Sequence, residues 1–138
     1  MHQLATAAFS VVNADSNITA VQFAALLTIR DHPGIDATRL AEAIRFDRTT
    51  IGHVIGRLEQ KGFIIRTEGS LDKRTKQLRI NENGIAMLKE VSPRVKEVSD
   101  LLLAPLSAAE QEEFLRMLRV LDKHATESEG QVENQDNV

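Results

Sequence analysis

The sequence predicts a mainly α-helical fold of the α+β class that contains one β-hairpin. Apolar residues recur at helical spacing through most of the chain, whereas residues 63–80 switch to an alternating, β-branched pattern. The length of 138 residues, of which 42% are hydrophobic and 27% charged, is typical of one domain. A second full domain does not fit in this length.

Two helices are predicted in the first third of the chain. An apolar stripe that begins at Leu4 marks one face of an N-terminal helix within residues 1–18. The stretch from Thr19 to Gln22 has the form of a capping box, in which the two side chains accept from the unpaired amides at a helix start. Helical spacing then continues until Pro33 and Gly34 end the helix.

Two shorter helices, joined by a tight turn, are predicted next. Asp36 is placed to cap the first of them and Asp47 to cap the second. Gly62 ends the second helix in the position that favours a left-handed residue. The predicted buried face of the second helix consists of Ile51, Val54, Ile55 and Leu58.

A β-hairpin with a basic loop is predicted after these helices. Residues 63–68 are rich in β-branched side chains, and residues 75–80 place Leu78 and Ile80 on one face. The segment between the two strands is polar and carries basic residues. An exposed basic hairpin therefore follows directly after the helix pair.

The last third of the chain is predicted to be helical. Asn81 can cap a long helix whose apolar residues recur at spacings of three and four, which is typical of a helix that packs along another helix. Pro93 lies inside it, so we expect a kink or a restart there. A capping box at Ser107 begins the final helix. Residues 125–138 have little to bury, which predicts a disordered tail.

Composition excludes several classes of protein. The chain has no cysteine, which removes disulfides, thiolate metal sites and cysteine nucleophiles from consideration. No run approaches the roughly 18 apolar residues that a membrane span requires, and the N-terminus has no basic residue to open a signal peptide. We therefore expect a soluble cytoplasmic protein with no membrane partner.

The net charge of −3 conceals a basic segment. Residues 1–44 carry 2 basic and 4 acidic side chains, residues 45–80 carry 9 and 4, and residues 81–138 carry 6 and 12. The middle segment is thus net +5, and it alone would attract a polyanion. The alternative is a basic face that is only solvated and binds no polyanion. The type of secondary structure that carries the charge distinguishes between the two.

The order of elements predicts a winged helix-turn-helix. A helix, a tight turn, a second helix and a basic hairpin suit a domain whose second helix enters the major groove of DNA. Gly52 and Gly56 lie on the exposed face of that helix, where they would let its backbone approach base edges closely; tolerated surface glycines are the alternative. The candidate DNA-binding residues are Thr38, Arg48, Thr49, Thr50, Gly52, His53, Arg57, Lys73, Arg74 and Lys76.

In the hairpin loop, Asp72 lies beside three basic residues. We expect Asp72 to orient Arg74, and Arg74 to enter a narrow minor groove, where the negative potential is enhanced. The alternative is a solvated turn with no DNA contact.

With these residues in place, the chain resembles the MarR family of bacterial transcriptional regulators. The resemblance runs from about Thr19 to Leu121 and includes the wing signature LDKR and the stretch INENG, where the family usually has a Leu-Thr-x-x-Gly pattern. It implies a homodimer, formed by the first, fifth and sixth helices, that represses genes. It also implies release from DNA by a small aromatic acid bound between the dimerisation and DNA-binding regions.

Carried onto this sequence, the resemblance places Thr49, Thr50 and His53 where the family reads bases and Arg74 at the wing arginine. His53 stands where an arginine is common, so the base preference of relatives does not transfer. A dimer of this kind predicts a pseudo-palindromic operator with half-sites about 10 base pairs apart. The expected division is a dimerisation helix in residues 1–18, a DNA-binding region in 19–80, dimerisation helices in 81–124 and the tail.

The ligand site can be assigned only to candidates on the first two helices of the family fold. An aromatic carboxylate needs apolar walls and at least one cation or amide donor. The alternative is core packing for the apolar candidates and a solvated position for the arginine. These candidate ligand-binding residues are Phe9, Asn13, Phe23, Leu27 and Arg30.

Other functions find less support in the sequence. The four histidines are scattered, with no partner at metal-ligand or catalytic-triad spacing, so we expect no enzyme activity, metal or cofactor. The chain has no Trp or Tyr to stack on single-stranded nucleic acid. A winged-helix module for protein interaction or dimerisation, without specific DNA binding, remains the alternative.

Overall fold

The computed structural model describes residues 17–69, 71 and 74–132, with side chains up to residue 124. Most of the predicted N-terminal helix, including Phe9 and Asn13, lies outside the described residues. The described part is mainly helical with one two-stranded antiparallel sheet, as the sequence predicts. Its elements are α1 (Ala20–Asp31), α2 (Ala37–Ile44), α3 (Arg48–Gln60), β1 (Ile64–Glu68), β2 (Lys76–Ile80), α4 (Glu82–Leu103) and α5 (Ala108–Val132).

The predicted helix starts are confirmed by their caps. Thr19 and Gln22 form a reciprocal capping box at the start of α1, with nitrogen to oxygen distances of 3.2 and 3.3 Å. Asp36 and Asp47 each accept from the amide three residues later, at 2.8 Å, and so begin α2 and α3. Each cap depends on residues within one helical turn, which is why the local sequence predicts it.

Left-handed residues end α2 and α3. Arg45 adopts a φ of 57° immediately after α2, and Gly62 adopts a φ of 77° just beyond the C-cap of α3, as predicted. The conformation at Arg45 turns the chain sharply, so that Asp47 begins the next helix only two residues later. This tight turn sets the angle of the helix-turn-helix.

The hairpin has a regular register and an additional isolated bridge to a residue outside the sheet. Ile64 pairs with Ile80, and Glu68 pairs with Lys76 at the far end. Ile35, just before α2, forms an isolated bridge with Leu78, which the sequence does not predict. The Leu78 amide donates to the Ile35 carbonyl and its carbonyl accepts from Gly34, both at 2.9 Å. The hairpin formed by β1 and β2 is called the wing below. Its base is therefore joined to the start of the helix-turn-helix.

One hydrophobic core lies under these elements. It unites the inner faces of α1, α2 and α3 with the hairpin and the first half of α4. Phe23 belongs to it, as the alternative of core packing predicts, and Leu27 packs against it. Its buried residues are Ile18, Phe23, Ala25, Leu26, Ile29, Leu40, Ala41, Ile51, Ile55, Leu58, Ile64, Leu78, Leu88 and Val91.

The start of α4 is packed tightly against the hairpin. Asn81 caps the helix by accepting from the Gly84 amide at 2.9 Å, as predicted. A Cβ atom placed on Gly84 would lie 2.4 Å from the Phe63 carbonyl oxygen, so the helix could not approach this closely with a larger residue. The predicted restart at Pro93 is wrong, because α4 continues through it. Pro93 and Lys89 are exposed, so the carbonyl that the proline leaves unpaired can be solvated.

The chain divides into two compact units, residues 1–98 and 99–138. In the second unit, Ser107 caps α5 by accepting from the Glu110 amide at 3.2 Å. The predicted tail is wrong for residues 125–132, because α5 extends to Val132. Propagation of a helix that has already formed adds one backbone hydrogen bond for each residue, which explains the difference. The rest of the predicted tail lies outside the described residues.

Candidate nucleic-acid interface

Helix α3 presents one buried and one open face. Ile51, Ile55 and Leu58 are buried, and Val54 is partly buried against the core. The opposite face carries five exposed polar side chains of the types that contact phosphates and base edges. These are Arg48, Thr49, His53, Arg57 and Gln60.

The two glycines on this open face have no neighbour that requires a glycine. A Cβ atom on Gly56 would meet nothing within 4 Å, and one on Gly52 would meet only Arg48 Nη1 at 3.6 Å. Packing among the described residues therefore gives no reason for either glycine. Their interpretation as positions of close approach to a ligand stays a prediction.

The N-terminal end of α3 is ordered by its cap. The Asp47 carboxylate accepts from both the backbone amide and the hydroxyl of Thr50. These hydrogen bonds hold the pKa of Asp47 below its usual value. The Thr50 hydroxyl, a predicted DNA contact, thus donates to the cap, while Thr49 beside it is exposed. The two threonines have different surroundings although they are adjacent in the sequence.

A cleft of about 320 Å³ lies between the start of α2, α3 and the wing. Four predicted DNA-binding residues line it, and three of them, Thr38, Arg48 and Lys76, come from three different elements. Its lining residues are Asp36, Ala37, Thr38, Arg48, Ile55, Arg66, Arg74, Thr75, Lys76 and Leu78. The structure therefore brings together side chains that are up to 42 residues apart in the sequence.

Arg66 is a cationic residue of this cleft that is not among the predicted DNA-binding residues. It lies on β1 opposite the buried Leu78, so it continues the core-facing side of the strand beyond the core. The signal in the sequence was its position two residues after Ile64 on the same face of the strand. A charged residue on the core-facing side of a strand marks the point where that side leaves the core.

Two cations of the cleft, Arg66 and Lys76, are paired with exposed carboxylates. Arg66 Nε lies 3.0 Å from Glu59 Oε2, and Lys76 Nζ lies 3.7 Å from Glu68 Oε1. The side chains of both pairs are at least 40% exposed, and pairs of this kind contribute little to stability. The cations can therefore exchange these carboxylates for phosphate oxygens at small cost.

Part of the wing tip lies outside the described residues. Asp72 and Lys73 are not described, so the orientation of Arg74 by Asp72 stays a prediction. Arg74 itself is exposed and lines the cleft, and Leu71 is fully exposed. The structure thus places the predicted wing arginine on the same cleft as Arg48 of α3.

A second cleft, of about 520 Å³, lies between the end of α1 and α4. Its lining combines the apolar side chains of α4 with three cations, Arg30, Lys89 and Lys96. Arg30 Nε donates to Asp31 at 2.8 Å, and this bond lowers the pKa of Asp31 and raises that of Arg30. The full lining is Arg30, Ile85, Leu88, Lys89, Ser92, Pro93 and Lys96.

This second cleft agrees with only part of the predicted ligand site. Arg30 is on its lining, whereas Phe23 is buried in the core and Leu27 packs against that core. Lys89 and Lys96 are not among the predicted ligand-binding residues, because the spacing of apolar residues in α4 indicates only helix packing. A charged residue between two apolar positions of such a helix can still face a cleft.

The described residues provide little for other kinds of site. Within residues 17–69, 71 and 74–132, no cluster of His, Cys, Asp or Glu is arranged to hold a metal ion. No helix in that part of the chain is long and apolar enough to cross a membrane.

Comparison with known proteins supports the fold and the class of function. The model of the MarR family matches residues 18–76, which contain α1, α2, α3 and β1. The transcriptional regulator HosA of Escherichia coli is 31% identical over 103 residues, 75% of this chain and 76% of HosA. The chain belongs to the MarR family. A second MarR-type relative, the HTH-type transcriptional repressor NicR of Pseudomonas putida, is 29% identical over 118 residues, 86% of this chain and 75% of NicR.

The MarR fold is also shared with a solved structure of a ligand-regulated protein. BpsR of Bordetella bronchiseptica, whose DNA binding is regulated by 6-hydroxynicotinic acid, superposes with a TM-score of 0.82 and 25% identity. The match covers 88% of this chain and 86% of BpsR. The predicted winged helix-turn-helix is thus confirmed, and the relatives are transcriptional regulators and not enzymes.

Proposed function

We propose that this MarR-family regulator is a repressor that binds a pseudo-palindromic operator in double-stranded DNA as a homodimer. We further propose that a small aromatic carboxylate releases it. The observation that carries the proposal is the cationic cleft, which lies directly beside the open face of α3. A recognition helix and phosphate-binding groups are then available on one surface.

The DNA-binding part rests on the chemistry of that surface. Arg57 and His53 are exposed on α3 and can reach base edges in a major groove. Arg66, Arg74 and Lys76 on the hairpin can neutralise phosphates beside that groove. The start of α2, with Ala37 and Thr38, lines the same cleft, and a helix N-terminus carries a partial positive charge that favours a phosphate.

The homodimer part rests on the second unit. Its helix α5 carries a series of large apolar side chains that are each at least 40% exposed. Such a patch marks an interaction surface, and a second copy of the chain would bury it on both protomers. A two-fold dimer presents two α3 helices to half-sites about one helical turn apart. The exposed apolar residues of α5 are Leu115, Met117, Leu118, Val120 and Leu121.

The effector part rests on the cleft between α1 and α4. Its volume of about 520 Å³ and its apolar wall suit a small aromatic ring. Arg30, Lys89 and Lys96 supply cations that would bind a carboxylate at the rim. The regulation of BpsR by an aromatic acid adds support from a relative.

The DNA-binding part is tested with Arg74→Ala. We expect a loss of affinity for a duplex selected from random sequence by the wild-type protein, together with a decrease of about one in the slope of log affinity against log salt. Lys123→Ala, an exposed change near the end of α5, is the control and should leave both quantities unchanged. Equal affinities for the Arg74 variant and the wild type would contradict the assignment of the wing.

A different result would redirect the proposal. A folded wild-type protein that binds no duplex DNA at low salt would favour a winged-helix module for protein interaction.

The effector part has its own test, in which a panel of small aromatic acids is added to the DNA complex. We expect at least one acid to dissociate the complex and Lys89→Ala to raise the concentration required. A panel without effect would contradict ligand release and leave DNA binding intact.

A further inference from the structure

The C-terminal end of α3 is fastened to a distant part of the chain by Lys61. Its Nζ atom donates to the Asn17 carbonyl at 2.6 Å and to Gln22 Oε1 at 2.9 Å. These partners are 44 and 39 residues away in the sequence. Lys61 is the C-cap of α3, so its side chain connects the end of this helix to the start of α1.

The site that receives the ammonium is itself ordered. Gln22 is only 8% exposed, and its Oε1 atom also accepts from the Thr19 amide in the capping box of α1. Asn17 presents its carbonyl from a left-handed conformation, with a φ of 54°. Burial lowers the pKa of Lys61, and the positive charge of nearby Arg57 lowers it further. The ammonium is thus partly desolvated against neutral oxygen acceptors that are fixed in place.

A second connection holds the same end of α3 from the other side. Asn81 Nδ2 donates to the Gly62 carbonyl at 2.7 Å, and the Asn81 amide donates to the Phe63 carbonyl at 3.1 Å. Residues 61–63 are therefore bonded both to the first turn of α1 and to the cap of α4. The opposite end of α3, at Arg48, lines the open cleft.

Because α3 is held at its C-terminal end, a small rotation there moves its N-terminal end by a larger distance. The helix has 13 residues, so it is about 20 Å long at 1.5 Å per residue. A change of about 5° in its direction at Lys61 would move Arg48 by about 2 Å. A functional constellation must be held within about 0.5 Å, so a shift of this size would remove direct contacts to bases.

We infer that Lys61 is a positioning residue for DNA reading, which fixes the direction of α3 by bonding its end to Asn17 and Gln22. The inference rests on the proposed binding of duplex DNA. Lys61 acts through the helix and touches neither bases nor phosphates. Its loss should therefore weaken specific binding more than the general attraction to the DNA backbone.

The test compares Lys61→Met, which keeps the aliphatic stem and removes the donors, with Lys61→Arg, which keeps a cationic donor. Affinity is measured for a duplex selected by the wild-type protein and for a random duplex, each at several salt concentrations. We expect Lys61→Met to weaken binding to the selected duplex about 10-fold or more, with the salt slope and the affinity for the random duplex unchanged. Lys61→Arg should recover part of the loss. Lys123→Met is the matched control and should bind as the wild type does.

Several outcomes would overturn the inference. Unchanged affinity of Lys61→Met for the selected duplex would do so, as would a salt slope reduced by about one, which indicates direct contact with a phosphate. Equal losses on the two duplexes would also exclude a positioning role. Gln22→Met removes the side-chain acceptor and provides a second test if Lys61→Met does not fold; wild-type affinity for the selected duplex would again refute the role. Failure of the wild-type protein to bind any duplex would instead refute the proposed function.

Discussion

The winged-helix part of the chain and its C-terminal unit differ in how much of their apolar surface is buried. All fourteen buried hydrophobic residues of the described part lie between Ile18 and Val91. In residues 99–124, by contrast, Leu101 and Leu121 are 70% and 67% exposed, and no large apolar side chain is buried. The first region buries its hydrophobic side chains within one chain, whereas the second leaves them exposed and able to contact another molecule.

This contrast separates two sources of stability. A residue in the closed core contributes through contacts that exist in every folded copy of the chain. A residue on the open face of α5 contributes only when another surface covers it, so its effect should depend on protein concentration. Substitutions that are matched between the two regions can test this separation.

The largest effect is expected from the matched pair Leu58→Ala and Leu121→Ala. Leu58 is fully buried, so its truncation should lower the free energy of unfolding by about 2–5 kcal/mol at any protein concentration. Leu121→Ala should leave the stability of the winged-helix part unchanged. Urea unfolding followed by circular dichroism at two protein concentrations measures both. Equal losses for the two variants would contradict the contrast between the regions.

The next effect concerns association through α5. Leu118→Glu together with Leu121→Glu should weaken the proposed homodimer by 100-fold or more, because the dimer interface would have to bury unpaired charges. Sedimentation equilibrium measures the dissociation constant. Arg119→Glu, which adds a negative charge elsewhere on the same helix, is the control and should leave the dimer intact. A double variant that still dimerises at wild-type affinity would show that α5 is not in the interface.

A smaller effect is expected from a matched pair of glycines within the winged-helix part. Gly84→Ala places a Cβ atom 2.4 Å from a backbone oxygen and should cost about 1–3 kcal/mol of stability, since α4 must move away from the hairpin. Gly56→Ala meets nothing within 4 Å and should stabilise α3 by up to about 1 kcal/mol. Thermal unfolding shows whether each variant gains or loses stability. A stabilised Gly84 variant would mean that the close approach is not required.

The smallest effect is a change in acid titration. Because the folded pKa of Asp47 is lowered, its stabilising contribution is present above its usual value of 3.8 and is lost as the pH falls through the folded pKa. Thr50→Val removes one donor, so the pKa of Asp47 should rise toward 3.8. A carboxyl-carbon NMR titration measures the shift. An unchanged value would show that the Thr50 hydroxyl does not bond to the carboxylate in solution.

The features that could be predicted from the sequence are those whose cause is local. The caps at Asp36 and Asp47 depend on atoms one helical turn away, and the hairpin follows from a change of period. The partners of Lys61 lie 39 and 44 residues away, and no periodicity encodes them. Arg66 was missed for a related reason, since its place in the cleft depends on how the hairpin meets α2 and α3.

The predictions that proved wrong share another cause. They treated helix formation at Pro93 and beyond residue 124 as a question of residue type alone. Both segments are helical because hydrogen bonding propagates along a helix that has already formed. A helix-breaking residue or a polar composition therefore lowers the stability of a helix but does not determine the residue at which the helix ends.

The bridge between Ile35 and Leu78 has a consequence for how the wing can vary among related proteins. The hydrogen bonds at Leu78 fix the base of the hairpin to the segment that enters α2. Residues inserted between Glu68 and Lys76 would therefore lengthen the loop without changing the position of α3. Evolution or protein engineering can alter the reach of the wing along DNA while the recognition helix keeps its place.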